Sequence, residues 1–98
     1  MSVATDPIAE AALADQHLVT ERVRGLVRDI LERRSIRREV PVDDDLREAG
    51  LNSLDMVNLM LAVEAEFDLK IPDADMTLRN FQTISAIDAL VISLLPAR

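Results

Sequence analysis

Between Thr20 and Arg34, Val23, Leu26, Val27, Ile30 and Leu31 recur at three- and four-residue spacing. That spacing predicts a helix with one buried stripe. Thr20 reads as its N-cap, with acidic Glu21 behind it, and arginines gather toward its C-terminal end, where they complement the helix dipole. Upstream, Pro7 acts as a break, and the Ala-rich "IAEAALADQHL" can extend the helix backward. Residues 1–19 are read as an N-terminal extension, partly flexible or helical, with no role assigned.

The pattern then turns irregular. In "SIRREVPVDDDLREAG" Pro41 prevents helix continuation and Gly50 offers a turn. Ile36, Val40, Val42 and Leu46 read as anchors that pin this long loop to the core. A second helix is expected from Ser53 to about Phe67, free of Gly and Pro and rich in good formers. It carries more hydrophobes than one stripe needs, so it is either packed on two sides or leaves some exposed for a partner. Pro72 opens a short turn or helix through roughly Asn80. Thr83 then caps "ISAIDALVISLL", whose Ile84, Ile87, Leu90, Val91, Leu94 and Leu95 form a buried face. The expected fold is all-α: a small bundle of three major helices plus one short helix. It spans residues 20–95, with residues 96–98 as a tail.

Composition narrows the chemistry. The chain has 98 residues, enough for one small domain, and is 49% hydrophobic with only two aromatics, Phe67 and Phe81. Its core must therefore be aliphatic. Cysteine is absent, which excludes disulfides, thiol nucleophiles and zinc–thiolate sites. The single histidine, His17, lies in a polar stretch and reads as a surface residue. No apolar run is long enough to span a bilayer. The opening "MSVATDPIAE" lacks the basic start and apolar stretch of a signal peptide, so a cytoplasmic protein is expected.

Net charge is −7, but it is unevenly spread. Thr20 to Val40 holds seven arginines against four acids, whereas Asp43 to Asp75 holds ten acids against two bases. An acidic chain without Tyr or Trp is a poor nucleic-acid binder. Its acidic central half suits docking onto basic protein surfaces.

Few residues offer chemistry. "DDDLREAGLNSLD" resembles a calcium loop only in its acid content: counted from Asp43, the glycine arrives two positions later than the sixth place such a loop requires. A Ser-His-Asp triad would need His17 to reach Ser53 in a pocket that a chain this small can hardly build. An enzyme is not expected, and no metal ligand set is found. Ser53 itself has two readings. It can be the N-cap of the second helix. Alternatively Asn52 caps, Ser53 becomes the first helical residue and Asp55 the third, where negative charge is welcome. The hydroxyl is then free, and a phosphate attached to it would sit at a helix N-terminus, which favours anions.

"DDDLREAGLNSLDMVNLMLAVEAEFDLKIPD" closely resembles the central region of acyl carrier proteins. Those have a Gly-x-Asp-Ser-Leu stretch, an apolar helix ending in a Glu-Glu-Phe-like sequence, and an Ile-Pro-Asp step. The likeness continues through "ERVRGLVRDIL" and "TISAIDALV", and so covers roughly Thr20 to Leu95. The resemblance implies that Ser53 is esterified by 4'-phosphopantetheine, donated from coenzyme A by a phosphopantetheinyl transferase. The arm's thiol would carry an acyl or aminoacyl group, delivered to downstream enzymes by a monomeric carrier. It further implies that Leu54 and Leu61 face partner enzymes, with Asp55 and Glu64 as acidic contacts beside them.

The departures from the pattern are at the same surface. Asn52 replaces the usual aspartate, and Asn58 and Ala65 stand where fatty-acid carriers commonly have glutamates. Such a face favours a specialised carrier over housekeeping fatty-acid synthesis. "IPDADMTLRNFQTISAI" is similar to small discrete carriers loaded with amino acids by stand-alone ligases. The competing expectation is a helical protein-interaction module in which Ser53 is only a cap.

Overall fold

In a computed structural model of the protein, residues 7–95 are described, with side chains from Gln16 onward. The expected tail at 96–98 and the first six residues lie outside the described residues. Four α-helices are formed: α1 (Pro7–Arg33), α2 (Leu46–Ala49), α3 (Ser53–Phe67) and α4 (Ile84–Leu94). Two single 3₁₀ turns, Asp73–Asp75 and Arg79–Phe81, fill the stretch between α3 and α4. No strand occurs among the described residues. The all-α expectation holds.

The start of α1 corrects the sequence pattern. The helix does not begin at Thr20 but runs unbroken from Pro7, about 40 Å in all at 1.5 Å per residue. Pro7 is tolerated because a first helical residue needs no amide donor, and the alanines that follow have the highest helix propensity. Thr20 therefore caps nothing. Its hydroxyl lies 3.0 Å from Gln16 O one turn back and also reaches Asp88 of α4.

α1 packs against both α3 and α4. Val23, Val27 and Leu31 of α1 meet Met56, Leu59 and Val63 of α3 and Ile84, Ile87 and Val91 of α4 in one aliphatic core. Phe81, fully buried, is its one large aromatic. Val40 and Leu46 enter this core, with Ile36 and Val42 packed at its edge, so the long loop is anchored as its pattern predicts. Within that loop α2 adds one turn, capped by Asp45, whose carboxylate accepts from the amides of Arg47 and Glu48. Gly50 ends α2 at φ 132°, where a Cβ would stand 2.6 Å from Ile36 Cδ1. Only glycine fits there. This tight exit drops Leu51 into the core and delivers Asn52 to the start of α3.

Candidate functional site

Asn52 is the N-cap of α3 and Ser53 its first helical residue. Asn52 Oδ1 accepts from the Asp55 amide at 2.8 Å, and Asp55 Oδ2 accepts from the Asn52 amide at 3.0 Å. This reciprocal capping box satisfies two donors at the helix end. The box thus takes the third helical amide, and the fourth, Met56 N–H, makes the first ordinary helix bond to Asn52 O. The amides of Ser53 and Leu54 remain at the helix end. Ser53 is exposed, and its hydroxyl takes no part in the box.

The sequence pattern did not single out Arg34. Just past the end of α1, its guanidinium forks onto Asp55: Nε donates to Oδ2 at 2.5 Å and Nη2 to Oδ1 at 3.2 Å. Asp55 is only 7% exposed. Burial pushes its pKa up, but the Arg34 hydrogen bonds, the Asn52 amide and the Arg34 charge together outweigh this and hold it below the usual carboxylate range. Local spacing shows arginines at the end of a helix. It carries no signal for which one crosses to another helix.

The other expected contact residues divide into two groups. Leu54 (66% exposed), Asn58 and Leu61 lie on the outer face of α3, joined there by Val57, which the sequence pattern did not name, while Met56, Leu59, Met60 and Val63 face the core. The excess of hydrophobes thus serves both purposes that its pattern allowed. Glu64 is half-buried, and its Oε2 accepts from the Ile71 amide at 2.7 Å. That bond fastens the "DLKIPD" exit, which turns at Asp68 in the left-handed region with φ 50°. Asp55 and Glu64 therefore both hold backbone, one at each end of α3. His17 is exposed, and no cluster of potential metal ligands occurs among the described residues.

These features fit a phosphodiester on Ser53. The hydroxyl is exposed and outside the capping box, it stands at a helix N-terminus where amides and dipole favour an anion, and the Asp55 carboxylate two residues on is paired with Arg34. A family model described as "Phosphopantetheine attachment site" matches residues 21–90. The chain belongs to this family of carrier proteins. It is accordingly a carrier of acyl or aminoacyl groups and not a catalyst, and its cofactor is 4'-phosphopantetheine. The plain interaction module is thereby set aside.

Among its relatives, Aminoacyl carrier protein 1 of Bradyrhizobium diazoefficiens is 43% identical over 75 residues, covering 76% of this chain and 83% of the relative. Aminoacyl carrier protein 2 of the same organism is 39% identical, with coverage of 76% and 84%. A chain in the crystal structure of Bradyrhizobium japonicum glycine:[carrier protein] ligase complexed with glycylated carrier protein superposes with a TM-score of 0.63 at 43% identity. The match covers 74% of this chain and 97% of that one. No helix among the described residues is long and apolar enough to cross a membrane.

Proposed function

We propose that Ser53 is the attachment residue and that the chain is a discrete aminoacyl carrier, loaded by a stand-alone ligase. The observation that carries the first part is the placement of Ser53 at the first turn of α3, exposed and outside a complete capping box. When attached, 4'-phosphopantetheine supplies the thiol on which cargo is held as a thioester. The chain's own residues present and tether. Asn52 and Asp55 fix the turn that bears Ser53, and the helix-end amides of Ser53 and Leu54 favour the phosphate. Tethering raises the effective concentration of cargo at a docked enzyme. Leu54, Val57, Asn58 and Leu61 form the face that meets the ligase and the downstream enzymes. Asn52, Asp55 and Glu64 act on that face by holding α3 at its two ends.

The amino-acid cargo is supported by the aminoacyl carriers among the relatives and by the glycine ligase complex that contains a matching chain. A monomeric carrier unit of residues 20–95, with α1 lengthened upstream, working in the cytoplasm where coenzyme A is available, completes the reading.

The test is an intact mass before and after incubation with coenzyme A, magnesium and a broad-specificity phosphopantetheinyl transferase. The wild type is expected to gain one phosphopantetheine and Ser53→Ala none, with helicity retained because Asn52 still caps. A gain in Ser53→Ala, or none in the folded wild type, would overturn the assignment. The holo-protein is then offered glycine and other amino acids with an aminoacyl:carrier-protein ligase and ATP. Loading by fatty acyl ligases alone would overturn the cargo.

A further inference from the structure

We propose that Arg34 is a positioning residue for phosphopantetheine attachment, holding the Ser53 turn through Asp55; the inference rests on Ser53 being the attachment residue. The geometry is a relay of three side chains across two helices. Arg34 follows the last residue of α1 and forks onto both oxygens of Asp55. Asp55 in turn holds the Asn52 amide, and Asn52 holds the Asp55 amide, with Ser53 lying between the two. A bidentate arginine–carboxylate pair fixes direction as well as distance. It also cancels the carboxylate's charge beside the point where a phosphate anion must approach. Other arginines of the basic stretch pair away from the Ser53 turn: Arg22 with Glu66, Arg24 with Glu21 and Glu39, and Arg38 with Asp44.

In the attachment step Ser53 Oγ bonds to the pantetheine-bearing phosphorus of coenzyme A. The bond from that phosphorus to the bridging oxygen breaks, adenosine 3',5'-bisphosphate leaves, and the serine proton passes to a base on the transferase. Arg34 touches none of these atoms. It acts by keeping Oγ in one place relative to the docked transferase, and misplacement of a nucleophile is read in kcat. Arg34 lies outside α3, so its replacement removes no side chain from the docking face of α3.

The experiment measures steady-state attachment on the full-length apo-protein, followed by mass gain, for wild type, Arg34→Ala, Arg34→Lys and Arg33→Ala. Arg34→Ala is expected to lower kcat by about tenfold with KM within about twofold. Arg34→Lys, which keeps the charge without the fork, should recover part of the loss, and Arg33→Ala should match wild type. Hydrogen exchange provides a readout apart from activity: the Asn52 and Asp55 amides, which the box protects, should exchange faster in Arg34→Ala. Wild-type kcat in Arg34→Ala, a loss confined to KM, or an equal loss in Arg33→Ala would each overturn the proposal while leaving Ser53 in place. If Arg34→Ala does not fold, Arg34→Gln replaces it under the same criteria. A wild type that gains no mass at Ser53 would remove the attachment reading and this inference together.

Discussion

Two aspartates shielded from solvent show opposite treatments of the same group. Asp55, at the start of α3, has both oxygens in use, shared among Arg34 and the Asn52 amide. Its pKa lies below the ordinary carboxylate range. Asp88, at the seam between α1 and α4, has Oδ2 near Thr20 Oγ1 and a buried Oδ1 without a hydrogen-bond partner among the described residues. Burial pushes its pKa up, and the Thr20 hydrogen bond and the Arg24 charge only partly offset this. Thr20 has one proton for two acceptors, Gln16 O and Asp88 Oδ2. The complete network lies beside Ser53, the proposed attachment residue; the incomplete one lies in the seam, where apolar packing carries the stability.

The most direct way to break the contrast is Asp55→Ala. It removes the capping box and leaves Arg34 unpaired, and a stability loss of about 2 kcal/mol is expected in urea unfolding. The sign with pH follows from the lowered pKa. The stabilisation from Asp55 is fully present above its unfolded value of 3.8 and is lost as pH falls through the lower folded value. The gap between wild type and Asp55→Ala should therefore narrow only in strong acid. A variant as stable as wild type at neutral pH would mean that the box is ornamental.

Asp88→Asn should act in the other direction. An amide can donate to Thr20, carries no charge to desolvate, and nearly matches the shape. It is expected to stabilise the fold at pH 7 by about 1 kcal/mol. Because the folded pKa is raised, the favourable protonated state is fully present below the unfolded value of 3.8 and is lost as pH rises through the folded value. The advantage of Asp88→Asn should thus shrink on acidification toward pH 4. Destabilisation at every pH would show that the charged carboxylate is wanted in the seam.

This contrast also marks what the sequence made legible. The three long apolar patterns, the loop anchors and the caps Asn52 and Thr83 are local signals at fixed spacing, and each is realised. Thr20 misled because a threonine followed by an acid resembles a cap, whereas its hydroxyl serves Asp88, 68 residues away. Arg34–Asp55 and Glu64–Ile71 were hidden for the same reason. Which partner a long polar side chain finds depends on where distant backbone comes to rest, and periodicity does not encode that. Of the residues expected on the docking face, those with short local explanations (Leu54, Asn58 and Leu61) stand outward. The two acids, Asp55 bonded to Arg34 21 residues away and Glu64 to Ile71 seven residues on, are drawn in to hold the helix.

The smallest effect on stability is expected where α3 faces outward. Leu54 is 66% exposed and Leu61 56% exposed, so little apolar area returns to water when either is shortened. Leu54→Ala and Leu61→Ala should each change unfolding free energy by less than about 0.5 kcal/mol. Their effect should lie in transfer: aminoacylation of the holo-protein by a ligase should show a raised KM, and the double variant a larger rise than either alone. This sharpens the comparison of the two aspartates, because it separates the residues that hold Ser53 in position from those that meet the enzyme. Asp55→Ala would then lose stability and attachment together, whereas Leu54→Ala would lose docking from an intact fold. An unchanged KM in the folded double variant would move the docking face off this stripe and leave its hydrophobes as ordinary surface.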